Sequence, residues 1–153
     1  MDFSKRLYEI VRDYLRERLP DPINRGGHWI YPDYPREDAK MPRIGIVVYG
    51  TYTTEFGLGF RGQRVFSRVE VSVWTDSRKD GIVDGLRYRG SGLREALSDK
   101  IINILIGGRA ELSRLYGIKD VRLVSTTVYA YNPDRDLYRK DLVFDFVWDT
   151  EKT

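Results

Sequence analysis

The glycine-rich stretch at 57–62 has the spacing that comes closest to a known binding motif. Gly57, Gly59 and Gly62 match the G-x-G-x-x-G pattern of nucleotide-binding loops. That pattern holds a pyrophosphate only when a helix begins directly after the glycines, because the amides at the helix N-terminus bind the anion. Here residues 65–74 alternate with a period of two, which predicts a strand. A kinase-type loop does lie between strands, but it requires a valine where this chain has Arg64. The sequence therefore predicts a hairpin tip and no cofactor-binding residue.

Acidic residues that suit a metal site occur in the long connection that precedes the first apolar run. Asp33, Asp38 and Lys40 are the residue types with which metal-dependent nucleases hold Mg²⁺ and position water. Those enzymes place them on adjacent strands, whereas here they lie within a few residues of each other in proline-rich sequence. We predict no metal-binding residue and keep a metal-dependent nuclease as the lowest-ranked alternative.

Candidates for acid–base or nucleophilic catalysis are few. His28 is the only histidine, and it follows two glycines without a nucleophile motif such as G-x-S-x-G. Asp145 and Asp149 lie two strand steps apart on one face of the last predicted strand, as a carboxylate pair would. Because they alternate with valines, this pattern is more typical of an edge strand protected by charge or of a subunit contact. We predict no catalytic residue and no enzymatic activity.

Composition narrows the class of protein. The chain has 153 residues and is expected to form a single domain over 1–153. It contains no cysteine, which excludes disulfides and thiolate metal sites. No apolar stretch approaches the roughly 18 residues of a membrane span, so no membrane partner is expected. The 26 basic and 23 acidic residues give a net charge of +3 and are interspersed. A dedicated nucleic-acid binder more often carries a basic stripe, so a small nucleic-acid-binding module is an alternative and not the first choice.

Two amphipathic helices are predicted to position the rest of the chain. Apolar residues recur at steps of three and four over 3–19, and Pro20 ends this helix. The same spacing recurs over 93–105, with Ser91 expected as the N-cap and the glycines at 107–108 as the end of the helix. Each helix has one apolar stripe and must therefore pack on another element.

Period-two alternation predicts the strands. They are expected at 44–49, 65–74, 121–131 and 137–148, with a further short strand around 29–31 and loops at 50–64 and 75–92. The order of elements predicts an α+β fold, in which an antiparallel sheet of about four strands carries both helices on one face.

Large apolar side chains occupy both faces of the predicted strands. A sheet with one solvated face would not show this pattern, so we expect another subunit to bury the second face. Aromatic and aliphatic residues at the predicted hairpin tip would also be unfavourably exposed in a free subunit. The expected subunit interface therefore comprises Phe56, Leu58, Phe60, Trp74, Phe144, Phe146 and Trp148.

The pattern of segments resembles the tail-terminator or tail-completion proteins of tailed bacteriophages and archaeal viruses. The segments are MPRIGIVVYG, RVEVSVWTDS, GLREALSDKIINILI and LYRKDLVFDFVWD. In that family the central strand alternates and ends in Trp and a small polar residue, and the last strand carries a Tyr-Arg pair before alternating aromatics. The matching positions here are Val69, Val71, Val73, Trp74, Thr75, Tyr138, Arg139, Phe144, Phe146 and Trp148.

The resemblance implies a structural role in a virion. Such proteins form a ring, commonly a hexamer, at the head-proximal end of the tail tube, and DNA passes through its centre. The implied partners are other copies of the chain, the tail-tube protein, the head connector or neck protein, and DNA. The implied location is the virion tail or neck, with the host cytoplasm during assembly. Arg61 and Arg64, in the predicted tip, are the candidates for facing the DNA channel or the next ring.

Overall fold

A five-stranded mixed sheet forms the body of the protein, and a separate two-stranded hairpin lies beside it. The computed structural model describes residues 3–34, 39–56 and 62–151. The elements in chain order are α1 (Phe3–Arg18), β1 (Ile30–Pro32), β2 (Arg43–Phe56), β3 (Gly62–Thr75), β4 (Asp80–Val83), β5 (Leu86–Arg89), α2 (Ser91–Gly107), α3 (Arg109–Tyr116), β6 (Ile118–Val128) and β7 (Tyr138–Glu151).

The strand order in the main sheet is β1-β2-β3-β7-β6. Neighbouring strands from β2 to β6 are antiparallel, and β1 pairs in parallel with the start of β2. The predicted α+β class is confirmed, but the sheet has five strands instead of about four and is not wholly antiparallel. The additional strand arises because Ile30, which is fully buried, inserts its side chain into the core beside Ile44.

A single apolar core lies between the helices and one face of the sheet. The stripes of α1 and α2 both contribute to it, as the two predicted amphipathic patterns require. Helix residues in the core are Leu7, Val11, Tyr14, Leu15, Leu93, Leu97, Ile101 and Leu105. Sheet residues facing them are Ile44, Ile46, Val65, Val69, Val71, Val73, Leu142, Phe144 and Phe146. The prediction that both helices share one sheet face is confirmed.

The segment predicted as a loop at 50–64 is largely strand. β2 continues to Phe56 and β3 begins at Gly62, so only 57–61 separate them, and these lie outside the described residues. The threonines and tyrosine at 51–54 favour a pleated strand, which outweighs the glycine content of the segment. Gly50, with φ of 65°, lies at the irregularity between Tyr49 and Tyr52 where the β2–β3 register shifts.

The predicted loop at 75–92 also contains regular structure. β4 and β5 pair as a hairpin through the two-residue turn Asp84-Gly85, where φ is 51° and 80°. Positive φ at both positions is the requirement of a type I′ turn, for which Asp-Gly is a preferred sequence. The hairpin packs closely on its surroundings, since a Cβ added to Gly81 would lie 2.7 Å from the Pro22 Cβ.

Helix ends differ in detail from the sequence prediction. Gly90, with φ of 58°, is the N-cap of α2, and Ser91 is the first helical residue, with no side-chain cap hydrogen bond at that end. The close approach of the Tyr138 ring, 3.2 Å from a Cβ added at Gly90, leaves little room for a larger cap. Gly117, with φ of 73°, ends α3 and lets β6 begin at Ile118.

Candidate subunit interface

The described residues that suggested catalysis do not form a cluster of the kind that a catalytic or metal site requires. His28 is exposed, and Lys40 contributes its backbone carbonyl to the Arg25 guanidinium at 3.0 Å. Asp33 follows β1 with φ of 54°, and Asp38 lies outside the described residues. Among the described residues, no group of three or more His, Cys, Asp or Glu side chains has the arrangement of a metal site.

The glycine-rich motif joins two strands of one antiparallel hairpin. β3 begins at Gly62, so a strand and not a helix follows the last glycine. The amides of a helix N-terminus, on which pyrophosphate binding depends, are therefore missing at this point. The β2–β3 pairing is the hairpin predicted from the sequence.

The two acids of the last strand each bind an arginine. Arg64 donates to Asp149 at 2.9 Å, and Arg68 donates to Asp145 at 3.0 Å. These are cross-strand pairs, because β3 and β7 lie side by side in this register. β7 has neighbours on both sides, so the expectation that Asp145 and Asp149 mark an edge strand is wrong. Arg64, expected to face the DNA channel or the next ring, is half-exposed and belongs to this ion pair.

The aromatic residues expected at an interface lie mainly inside the subunit. Phe144 and Phe146 have no exposed surface and Trp148 has 6%. Their side chains belong to the core under the helices, because even-numbered positions of β7 face that side. The exposed surface for an interface therefore has to come from other residues. Nothing is described of the Phe56 side chain, and Leu58, Phe60 and Arg61 lie outside the described residues.

The sheet face that points away from α1 and α2 is called the open face here. Its central rows pair β3 with β7 as Arg64 with Asp149, Phe66 with Val147, Arg68 with Asp145, Glu70 with Val143, Ser72 with Asp141 and Trp74 with Arg139. One apolar pair, Phe66 with Val147, thus lies between two ion pairs, and the remaining rows combine a charged residue with a polar or apolar one. The two side chains of each ion pair neutralise each other's charge. Phe66 and Val147, between the ion pairs, are half-buried.

One end of the open face is covered by the chain's own cation–π cluster. Trp74 is only 9% exposed, because the guanidinium carbons of Arg43 and Arg139 lie 4.9 and 5.1 Å from the centre of its ring. Arg139 also lies over the rings of Tyr34 and Tyr129, at 4.8 and 4.6 Å. The expectation that another subunit covers Trp74 is therefore not needed to explain its burial.

Carboxylates anchor the same cluster. Arg139 donates two hydrogen bonds of 2.9 Å to Asp141, which is 2% exposed, and the Tyr129 hydroxyl donates to the same carboxylate. The Tyr34 hydroxyl donates to Glu70 at 2.9 Å. Burial raises the pKa of Glu70, an effect that the bond from Tyr34 only partly offsets. Burial and the Glu70 carboxylate raise the pKa of Tyr34.

Two cavities flank this cluster. One of about 280 Å³ is lined by Met41, Arg43, Trp74, Arg135 and Leu137. A second of about 240 Å³ shares Trp74, Arg135 and Leu137 and extends to Tyr129. The indole Nε1 of Trp74 is buried without a hydrogen-bond partner among the described residues. Arginine and aromatic walls suit an anionic or aromatic group at this end of the face.

The edges of the sheet carry exposed apolar side chains. β6 is the outermost strand on one side, and its exposed large side chains are Leu123, Val124 and Val128. On the other side, β1 covers β2 only from Ile44 to Ile46. An edge strand presents a row of backbone donors and acceptors that another chain can pair with. These edges were not among the predicted interface residues.

No helix in the described part of the chain has the length and apolar character needed to cross a bilayer.

No protein-family model and no curated protein matches the sequence. Among solved structures, the chain is similar to one described as "Virion of native gene transfer agent (GTA) particle". The TM-score is 0.60 and the sequence identity is 14%, and the match covers 92% of this chain and 92% of that chain. At this identity the comparison shows a shared fold over nearly the whole of both chains.

Proposed function

We propose that this chain is a structural protein of a phage-like virion that caps the head-proximal end of the tail tube. In this role copies of the chain form a closed ring, of six subunits by the family resemblance, which joins the tube to the head connector. DNA passes through the ring. The protein acts by packing and needs no cofactor or catalysis. It is located in the virion tail or neck, and in the host cytoplasm during assembly.

The observation that carries the proposal is the fold similarity to a chain of a gene transfer agent virion. It spans both chains almost completely, so it concerns the whole domain and not one shared motif. The segment pattern that resembles tail terminators supports the same class of protein independently of the coordinates. A fold by itself does not determine a function, so the virion role is inferred from these two lines together.

The surfaces of the subunit fit an assembly role better than a catalytic one. The histidine and acidic residues weighed as catalysts are solvated or engaged in ion pairs with arginines. The sheet instead offers edges on both sides, and its open face combines ion pairs with apolar side chains. A head-to-tail contact between such subunits closes into a ring when the rotation per subunit divides a full turn.

Deletion of the gene in the particle-producing host tests the role directly. A terminator stops growth of the tail tube, so we expect tails of uncontrolled length that do not join heads in electron micrographs. Complementation with the wild-type gene should restore uniform tails. A tagged copy, labelled with gold, should lie at the head–tail junction.

Tails of normal length that remain attached to heads in the deletion strain would contradict the proposal. Label along the whole tube or in the capsid would place the chain elsewhere in the particle. A soluble DNA-binding protein would give no label on particles at all, which separates the nucleic-acid-binding alternative from the virion role.

A further inference from the structure

We propose that the uncharged half of β6, Leu123–Val128, pairs antiparallel with the free edge of β2, Val48–Thr54, in the next copy of the chain. The pairing would join the sheets of neighbouring subunits into one continuous sheet around the ring. This inference rests on the proposed ring and names the contact that closes it.

The β6 edge has two unlike halves. The first half carries the charged residues Lys119, Asp120 and Arg122, which discourage pairing with another strand. The register with β7 shifts once in each half, between Ile118 and Asp120 and between Leu123 and Ser125, so the regular part of the second half is Ser125–Val128. The second half, 123–128, has no charge and no proline, and every residue in it is exposed. The exposed fractions of Leu123, Val124 and Val128 are 39, 43 and 53%. These side chains form an apolar strip beside the outward backbone groups of the edge strand.

The β2 edge has a matching stretch. Beyond Ile46, β1 no longer covers it, and the described residues place no other strand against its outer side. Residues 48–54 also lack charge and proline and include the β-branched Thr51, Thr53 and Thr54. The two free stretches are therefore similar in length and chemical character, and they lie at opposite edges of the same sheet.

Strand direction favours this pair. Successive strands from β2 through β3 and β7 to β6 alternate in direction, so β6 runs opposite to β2. A second copy placed beside β6 with its sheet in the same orientation presents a β2 that is antiparallel to β6. The contact is heterologous, since one subunit uses β6 and the other β2, and a heterologous contact is what builds a ring.

The outward hydrogen-bond groups of β6 can be assigned. The Tyr129 amide donates to the Arg139 carbonyl at 3.0 Å. Hydrogen-bonded pairs alternate with non-bonded pairs in an antiparallel ladder, so Thr127 bonds to β7, whereas the amides of Thr126 and Val128 point outward. Proline at position 126 removes an outward donor and leaves the bonds to β7 in place.

The first test is Thr126→Pro, with Thr126→Val as the matched control that keeps the amide. We expect T126V to form rings like the wild type, and T126P to remain a folded monomer by circular dichroism and native mass spectrometry. Complementing the deletion strain with each variant checks the same contact in particles. Normal rings with T126P would overturn the pairing.

Disulfide trapping gives a second test that does not depend on proline. The chain has no cysteine, so introduced cysteines report one contact each. Thr126 and Thr53 lie on the helix side of the sheet and Thr54 lies on the open face, and all three are exposed. Thr51 also lies on the helix side, because its hydroxyl is hydrogen-bonded at 3.1 Å to that of Ser67, which pairs with Phe146. Mixing T126C with T51C or T53C should give a heterodimer on oxidation, because adjacent strands bring same-face Cβ atoms within disulfide reach. Mixing T126C with T54C should not.

The outcomes separate the contact from the ring. Rings that give T126C homodimers, or that give no T126C heterodimer with T51C or T53C, overturn the β6–β2 pairing and leave the terminator role standing. Heterodimers in open filaments that never enter a virion support the pairing and contradict the terminator role.

Discussion

Two arginine–aspartate pairs within single strands differ in burial and in hydrogen bonding, since Arg139 makes two bonds to Asp141 and Arg122 makes one to Asp120. Arg139 and Asp141 have side chains that are 22 and 3% exposed, whereas Arg122 and Asp120 are 73 and 29% exposed. Lysine cannot reproduce the two-pronged bond of Arg139 or its stacking on aromatic rings. The buried Asp141 would therefore keep the bond from Tyr129 and exchange two bonds from Arg139 for one weaker bond. We expect Arg139→Lys to lower the free energy of unfolding by about 1.5–3 kcal/mol.

The matched substitution Arg122→Lys should change the free energy of unfolding by less than about 0.5 kcal/mol, because exposed ion pairs contribute little. Urea titrations of both variants measure the difference. Equal effects of the two substitutions would mean that the cation–π cluster on the open face adds nothing to the stability of the subunit.

Asp136 gives the fold a dependence on acid. The hydroxyls of Tyr131 and Ser77 donate to its carboxylate, and these bonds lower its pKa from 3.8 to about 2. A lowered pKa contributes stability that is present above pH 3.8 and is lost as the pH falls through about 2. Carbon-13 NMR titration should show the low midpoint, and Tyr131→Phe should move it upward.

Asp136→Asn is the matched substitution for stability, because asparagine also tolerates the φ of 50° found at this position. The free energy of unfolding of the variant should change less between about pH 5 and about pH 2.5 than that of the wild type. A wild-type midpoint at the ordinary aspartate value of about 3.9 would show that the hydrogen bonds do not persist in solution.

At the scale of elements, α2 offers a graded test of the core. Ile101 has no exposed surface, whereas Ile104, one turn further along, is half-buried at the rim. Ile101→Ala leaves a cavity that the packed sheet cannot fill, so we expect a loss of about 2–5 kcal/mol in the free energy of unfolding. Ile104→Ala should cost about 1–2 kcal/mol, since it removes less buried area.

Denaturant titration of the two alanine variants measures both losses. The ratio between them is the informative quantity, because both substitutions carry the same change in helix propensity. Losses of equal size would argue against the placement of α2 with Ile101 towards the sheet.

Sequence periodicity predicted the elements that bury one continuous stripe. α1, α2, β3 and β7 were predicted within a few residues because a period of two or 3.6 is imposed by burial on one face. β4 and β5 are too short to show a period, and only the Asp84-Gly85 turn between them marked the hairpin. β1 was correctly suspected around 29–31, but its parallel pairing depends on a contact distant in sequence.

The candidate interface was less predictable than the fold. Alternation showed that Phe144, Phe146 and Trp148 share a face, but it does not say whether a helix of the same chain or another subunit covers that face. The structure assigns these residues to the subunit core. Whether a strand lies at the edge of a sheet depends on strand order, which a single sequence does not give. For this reason β6 was not predicted as an edge strand, and the prediction of an edge strand at β7 was wrong.

At the scale of the whole molecule, charge bears on the choice between a ring around DNA and a DNA-binding module. The net charge of +3 is small, and on the open face Arg64 and Arg68 already bind aspartates. A small net charge and cations paired with acids favour few simultaneous phosphate contacts, and the slope of log K against log salt is about −0.9 for each such contact. We expect the free subunit to bind duplex DNA weakly, with a slope no steeper than about −2. Fluorescence anisotropy with a labelled duplex between low and physiological salt measures this slope.

A slope of about −4 or steeper would require a concentrated set of phosphate contacts. It would favour the nucleic-acid-binding module over a ring through which DNA passes without tight binding.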